Sequence, residues 1–418
     1  MYKVEGLKKL SDYANTLGIA SPEIDCDITS IKFDSRHSKS NDLFIPLKGQ
    51  KFNGEDFTES ALGNGAAAIT EKKLNGLALN VKNVYECLLN LARKNLENIR
   101  PKIIFITGSY GKTTIKDMLT AIFQQKMEVV STYQNQNNEI GAPLTLIQAD
   151  NQTGMVIVEC GMRKKGDLRY LAKLICPTHV IITNIGLTHR EFFNSQREIA
   201  QAKAELFQSP LKWQVQPRTA FINYGTAYNE LLVKTAKAKK FNVLPTVTTP
   251  TDGVEQNIAT CFAVARYFGW TDLEIQAGLK AFESSDNRLK THQARGATII
   301  NDTYNCNPSG LKFALDALSR LSGRKLAVIG DMLELGEETN TEHQKIGNLC
   351  QEMGIDMCLG LGPVMEQQQF DQVPYVHFKS KTELAYFLKA EIKTGDRVLI
   401  KGSRGLQMET LVEELINE

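Results

Sequence analysis

Residues 103–118 read IIFITGSYGKTTIKDM, and the rest of the chain is organised around them. Four β-favouring residues, Ile103 to Ile106, run into a tight polar turn and then into a segment with helical character. A strand, a glycine turn ending Gly-Lys-Thr and a helix together make a cradle for phosphate. Backbone N–H groups and the positive end of the helix face the anion, and a lysine ammonium reaches its terminal oxygens. Gly108 and Gly111 supply the turn, Lys112 the charge, and Thr113 a hydroxyl able to hold Mg²⁺. The strict pattern G-x-x-x-x-G-K-[ST] is not met, because Ile106 stands where its first glycine belongs. The competing reading is an ordinary strand-to-helix connection with a solvated lysine. The surrounding sequence has to decide between them.

The 418 residues allow about two to four domains, each with a core of its own. Hydrophobic content of 42% and charged content of 23% are ordinary for a soluble globular protein. A net charge of +2 without a long basic block argues against a nucleic-acid binder. No apolar run approaches the ~20 residues that span a bilayer, and MYKVEGLKKL lacks a signal-peptide core. Eight cysteines are scattered singly with no C-x-x-C, which suggests reduced thiols and a cytoplasmic protein without a zinc cluster.

In the first 83 residues short segments alternate with turns. Asp34-Ser35-Arg36 follows a strand-like run, Leu43 to Leu47 reads as a second strand, and the small residues Ala61 to Ala68 suit a helix end packed on a sheet. An amphipathic helix over Asn83 to Ile99 leads into the phosphate-binding core. There strands and helices alternate, the sign of a mostly parallel sheet. Five amides and a carboxylate crowd Gln134 to Glu139, with Asn137 and Asn138 among them, which favours substrate or metal contact over a simple turn. Met155 to Val158 is a buried-strand pattern ending in Glu159, placed where an α/β sheet holds a Mg²⁺ ligand. His189 falls past the end of the next strand, His179 to Thr183. Lys203 follows on a helix, where spacing alone favours a solvated lysine. The segment Phe241 to Asp252, with two prolines, reads as irregular, and two helices follow it. A second strand–helix alternation fills residues 298–416, with NDTYNCNPSG, GDMLELGEE and KGSRG all after strands.

Taken together, TGSYGKTT, QNQNNEIGAPLTL, DTYNCNP, GDMLELG and KGSRG resemble the Mur ligase family over nearly the whole chain, and in particular those members that act on UDP-N-acetylmuramoyl-tripeptide. The family's own phosphate loop lacks the outer glycine. The resemblance implies an α/β protein of three domains: a UDP-sugar-binding part over residues 1–83, a shortened central P-loop ATPase over 84–287, and a Rossmann-like part over 288–418. It implies ATP-dependent amide formation in peptidoglycan precursor synthesis, with D-alanyl-D-alanine as acceptor, one or two Mg²⁺ ions, and a monomer in the cytoplasm; the alternatives are a ligase of the same type with another acceptor, or a paralogue that binds nucleotide or UDP-sugar without ligating.

Residue by residue, the resemblance gives Gly108, Ser109, Gly111, Lys112, Thr113 and Thr114 to the ATP phosphates, and Glu159 to the same Mg²⁺. His189 would help hold a second ion, and Lys203 matches a lysine that many members carbamylate. Lys112, Glu159, His189 and Lys203 thus form the expected catalytic set, with Thr113 joining the last three at metal. Asn257, Arg288, Asp302, Tyr304 and Asn305 match nucleotide contacts. Ser35, Arg36, Asn137, Asn138, Asn307 and Arg404 match substrate contacts. Three departures stand out: a usual His-Asn pair is missing near Val254 to Gln256, DDSYNANP reads NDTYNCNP, and the stretch from Asn242 to Gly253 is short.

Overall fold

The computed structural model describes residues 2–49, 52–132, 141–186, 192–208, 217–247, 253–282, 289–333 and 335–417, without the side chain of Leu174. Among these residues three sheets follow one another along the chain. The first pairs β1 (Ser30–Lys32), β2 (Asp42–Phe44), β3 (Ala67–Thr70) and β4 (Ala78–Asn80) in sequence order, all parallel. Helix α1 (Leu10–Leu17) precedes it and α2 (Thr58–Gly63) lies between β2 and β3. A long helix, α3 (Val84–Ile99), leads to the second sheet.

That sheet contains β5 (Lys102–Thr107), β6 (Glu128–Ser131), β7 (Thr153–Glu159), β8 (His179–Ile182), β9 (Thr219–Ile222) and β10 (Asn242–Pro245). Their order is β10-β9-β8-β5-β7-β6, every neighbour parallel. The crossovers are α4 (Lys112–Phe123), α5 (Gly141–Ile147), α6 (Asp167–Ile175), α7 (Gln196–Lys203) and α8 (Asn229–Ala238); α9 (Val254–Tyr267) and α10 (Asp272–Ala281) follow. The third sheet holds β11 (Lys290–Ala294), β12 (Ala297–Asp302), β13 (Lys325–Gly330), β14 (Met357–Leu361), β15 (Tyr375–Phe378) and β16 (Arg397–Lys401), in the order β11-β12-β16-β13-β14-β15. Only β11 runs antiparallel to its neighbour. Helices α11 (Pro308–Ser319), α12 (Thr339–Glu352), α13 (Lys381–Glu391) and α14 (Glu409–Ile416) connect and follow these strands.

Parallel strands covered on both faces need apolar side chains on both. Ile103 and Phe105 of β5 accordingly join Val156 and Val158 of β7 in one core, while Ile104 and Ile106 join Met155 and Ile157 in another. In the third sheet β13 divides the same way, Ala327 and Ile329 to one side, Leu326 and Val328 to the other. Full burial of one Leu or Ile side chain contributes roughly 1.5–3 kcal/mol. The first core does not stop at the first sheet. It runs from Leu10, Ile31 and Leu43 through Leu88, Leu91 and Leu96 of α3 to Ile103. Asn95 fixes the join: its amide accepts from Glu5 N at 2.8 Å and donates to Leu146 O and Ala149 O at 3.2 and 2.8 Å. No helix among the described residues is long and apolar enough to cross a membrane.

Two local expectations are corrected. The small residues after Gly63 do not prolong a helix. Gly65 turns the chain at φ +84°, and Ala67 to Thr70 become the buried strand β3, whose alanines fit between β2 and β4. The segment from Phe241 starts not as irregular chain but as β10, an edge strand that Pro245 closes, where its missing N–H interrupts no interior ladder.

At the amino end of the second sheet His179 is buried against Phe221, Tyr267 and Phe268, with ring centroids 6.3, 5.5 and 4.8 Å away. Burial, and then the nearby Lys102 charge, push its pKa from 6.5 down to about 4. The unfolded chain therefore takes up this proton more readily. Stability is fully present above 6.5 and falls as pH drops toward 4, by up to ~3 kcal/mol. In His179→Phe this part of the acid destabilisation is expected to vanish. Urea unfolding at pH 7 and pH 4.5 should then differ less for the variant than for the unsubstituted chain; an equal difference rejects the assignment.

Candidate active site

The turn after β5 is built by close approach. A Cβ at position 108 would lie 1.8 Å from Thr183 Oγ1, and one at position 111 would lie 2.5 Å from Asn257 Oδ1, with φ already at +77°. Only glycine fits either place. The end of β8 then laces the turn: Asn184 Oδ1 accepts from Ser109 N and Tyr110 N, both at 3.1 Å, and Asn184 Nδ2 donates to Tyr110 O at 3.1 Å. Thr183 Oγ1 donates to the same carbonyl at 2.7 Å. Ser109 Oγ and Gly186 N meet at 2.8 Å. From this turn α4 departs, its amino end at Lys112, whose ammonium reaches back to Gly108 O at 2.9 Å.

Glu159 comes to the other side of the turn because β7 pairs with β5 in the register Ile106↔Glu159. Its carboxylate accepts the Thr113 hydroxyl at 2.5 Å, and both side chains are buried. Lys203, at the end of α7, is 2% exposed. Burial first, and then the Lys112 charge, hold its pKa well below the usual lysine range. The solvated reading of Lys203 that spacing favours is thereby corrected: the lysine faces inward, in the field of the turn.

A second rim faces this one. At the end of β12, Asp302 takes the Lys401 ammonium at 2.5 Å, and Lys401 also donates to Asn305 O at 2.9 Å. Asn305 Oδ1 accepts from Cys306 N at 2.9 Å and from Arg404 N at 3.4 Å. The Arg404 guanidinium pairs with Glu409 at 2.7 Å. Helix α11 joins the two rims: Phe313 lies 6.0 Å from the Tyr110 ring, a Cβ on Gly186 would meet Ser309 Oγ at 2.6 Å, and Arg320 pairs with Glu255 at 2.5 Å.

Of the expected residues, the structure thus gathers Gly108, Ser109, Gly111, Lys112, Thr113, Glu159, Lys203 and Asn257 at the first rim, and Asp302, Asn305 and Arg404 at the second. Thr114 lies one position further along α4, and Tyr304 one before Asn305. Asn307 has its Oδ1 committed to Gly310 N at 2.8 Å, as the N-cap of α11 ahead of Pro308. In the first sheet Ser35 is buried at a short 3₁₀ turn, while Arg36 points outward and pairs with Asp34 at 2.7 Å. Asn137, Asn138, His189 and Arg288 lie outside the described residues. Thr183 and Asn184 belong to no motif in the sequence, and Lys401 enters it only as the first residue of KGSRG. A polar pair directly after a buried strand, as in Thr183-Asn184, was the available signal.

These residues fit a magnesium nucleotide. The cradle at positions 108 and 111 is one that any Cβ would fill. Asn257 is fully buried against it, and neither of its amide atoms has a partner among the described residues. The Thr113 hydroxyl and Glu159 carboxylate are the hard oxygen donors that Mg²⁺ prefers, and Mg²⁺ commonly takes only one or two carboxylates beside phosphate and water. Among the described residues no cluster of three His, Cys, Asp or Glu forms an alternative metal site.

Known proteins repeat this layout. Three family models match in succession: "Mur ligase family, catalytic domain" over residues 27–104, "Mur ligase middle domain" over 106–268, and "Mur ligase, glutamate ligase domain" over 287–404. The chain is 30% identical to the UDP-N-acetylmuramoyl-tripeptide--D-alanyl-D-alanine ligase of Bacillus subtilis, covering 95% of each. It is 31% identical to the protein of the same name in Synechocystis, covering 96% of this chain and 95% of that one. Among solved structures, MurF from Acinetobacter baumannii superposes with a TM-score of 0.85 at 26% identity, covering 98% of both chains. MurF ligase from Thermotoga maritima in complex with ADP gives 0.80 at 26% identity, covering 93% and 97%. With three successive models matched and relatives similar along their whole length, the chain belongs to the Mur ligase family.

Proposed function

We infer that this chain is an ATP-dependent ligase that joins D-alanyl-D-alanine to UDP-N-acetylmuramoyl-tripeptide. The observation that carries the reading is the facing of two strand-end rims across α11, in a chain whose full-length relatives bear that ligase's name. The tripeptide carboxylate attacks the γ-phosphorus of ATP, giving an acyl phosphate and ADP; the dipeptide amine then attacks the acyl carbon and expels phosphate. Little covalent chemistry falls to the protein, so positioning and charge supply most of the rate.

At the first rim Lys112 and the amino end of α4 hold the phosphates, and Asn257 turns its unpartnered amide to the nucleotide. Thr113 and Glu159 would hold Mg²⁺, with His189 and a carbamylated Lys203 for a second ion; such ions neutralise charge developing on the transferred phosphoryl group. Burial of Lys203 supports this role, because a lysine driven toward its neutral amine is able to add CO₂. At the second rim Asp302, Tyr304 and Asn305 face the nucleotide, and Arg404 meets the acceptor. Ser35 and Arg36, with Asn137 and Asn138, belong to the UDP-sugar peptide. All eight cysteines are free and all but Cys26 buried, which suits the reducing cytoplasm expected here.

Phosphate release with UDP-N-acetylmuramoyl-tripeptide, with and without D-alanyl-D-alanine, tests the reading directly. Release that needs both substrates is expected, and in Lys112→Ala the rate should fall about 10²–10³-fold with the fold retained, the scale of losing one transition-state donor. Release without either substrate, or a near-normal variant, overturns it.

The modified lysine has its own test. Lys203→Ala should lose activity, and a short-chain carboxylate added to the assay should restore part of it. Loss without rescue, together with an unmodified mass for the Lys203 peptide, leaves Lys203 a packing role only.

Arg404 is already paired with Glu409, so a carboxylate clamp on the dipeptide has to share or open that pair. In Arg404→Lys the KM for D-alanyl-D-alanine should rise about tenfold, the order of one lost charge-assisted hydrogen bond, while the KM for ATP stays nearly constant. An unchanged dipeptide KM removes Arg404 from the acceptor site.

A further inference from the structure

Four residues past Lys112, α4 turns another lysine inward. Lys116 is 3% exposed; its ammonium donates to Thr132 O at 2.7 Å and pairs with Asp117 at 2.6 Å. Burying an ammonium is costly unless it is closely paired, and replacing such a pair by apolar groups is often neutral for folding. This pair is also incomplete, since Asp117 Oδ2 has no hydrogen-bond partner among the described residues. Stability alone therefore gives little reason for it, but its connections do. Thr132 directly follows β6, and its hydroxyl accepts from Glu159 N at 3.0 Å. The Glu159 carboxylate in turn takes the Thr113 hydroxyl at 2.5 Å, and Thr113 lies on α4 beside Lys112. The contacts close a ring: α4 to the end of β6 through Lys116, β6 to β7 through Thr132, and β7 back to α4 through Glu159 and Thr113.

We propose that Lys116 is a positioning residue for the reaction: it clamps Thr132 to α4 and, through Thr132, holds the Glu159 carboxylate in register with Thr113 for Mg²⁺. The same bond fixes the last peptide group before the amide-rich segment 133–140. The inference rests on reading Thr113 and Glu159 as the Mg²⁺ ligands. It places the lysine outside the contact set of nucleotide and metal, since its ammonium is spent on Thr132 and Asp117.

The test is ADP binding by calorimetry over a series of Mg²⁺ concentrations, in the unsubstituted chain and in Lys116→Met/Asp117→Asn, which removes both charges together. Thermal unfolding is recorded in parallel. The Mg²⁺ concentration that half-saturates the gain in ADP affinity is expected to rise about tenfold in the double variant, as for lost outer contacts to a metal ligand. ADP affinity without Mg²⁺ should stay within about twofold, because the turn and Lys112 are untouched. Thr132→Val, which removes only the hydroxyl that takes Glu159 N, should move the Mg²⁺ midpoint in the same direction and keeps the test open if the double variant does not fold. A midpoint within twofold of the unsubstituted chain in a folded variant, whatever its Tm, overturns the proposal. Glu159→Gln separates the two levels. If it shifts the midpoint and the Lys116 and Thr132 variants do not, only the positioning role falls; if it too leaves the midpoint unchanged, the ligand reading falls and takes the clamp with it.

Discussion

No side chain fits at position 108, and much of the central site follows from that. The chain leaves β5 so close to the end of β8 that a Cβ would lie 1.8 Å from Thr183 Oγ1. Contact at this range lets one asparagine, Asn184, bind two N–H groups and one carbonyl of the turn at once. The turn is thus held by a neighbouring strand and not by its own sequence, which is why it needs no outer glycine at position 106. The strand order then fixes what flanks it. With β5 between β8 and β7, the polar pair Thr183-Asn184 lies on one side and Glu159 on the other. Insertion of one residue at the end of β7 would flip Glu159 to the opposite face and part it from Thr113.

What could be read from the sequence was whatever is local. The strand–turn–helix of residues 103–118 and the alternation in residues 298–416 depend on neighbours a few positions apart, and both are where the pattern puts them. The strands that apolar periodicity leaves unmarked are short, small-residued or at edges. β3 is built on alanines, β10 ends in proline, and β15 alternates only weakly in burial, so none carries a strong apolar period. The site shows the same division. Gly108, Lys112 and Thr113 belong to one motif. Lys116, Asn184 and Lys401 acquire meaning only from partners 16, 75 and 99 positions away, which no spacing rule reveals. Asn307 is instructive in the other direction: its place in a functional motif has a plain local cause, because it caps α11 and Pro308 begins the helix.

Helix α11 ties the third sheet to the phosphate turn. Its start is set by the motif at the end of β12, and its side chains Ser309, Phe313 and Arg320 touch Gly186, Tyr110 and Glu255. The Tyr110–Phe313 contact adds an apolar area next to a turn otherwise made of polar groups. Arg320 and Glu255 are both substantially exposed, so their pair contributes at most about 1 kcal/mol. A junction of this kind is specific in direction yet weak enough to open. That suits a proposed reaction whose two amine- and phosphate-handling rims have to admit substrates before they meet.

Three lysines near α4 show how the fold, and not the residue type, decides what an ammonium does. Lys112 sits at the helix's positive end, half-buried, and donates to Gly108 O, a placement that suits a site taking an anion. Lys116 is buried but closely paired, and its amine is spent on holding Thr132. Lys203 is equally buried, and burial first and then the like charge of Lys112 shift it toward the neutral amine. A neutral amine is a nucleophile, whereas an ammonium is not. The chemistry proposed for Lys203 therefore draws on Lys112 twice over: once for the phosphate it would hold, and once for the repulsion that helps lower the pKa of Lys203.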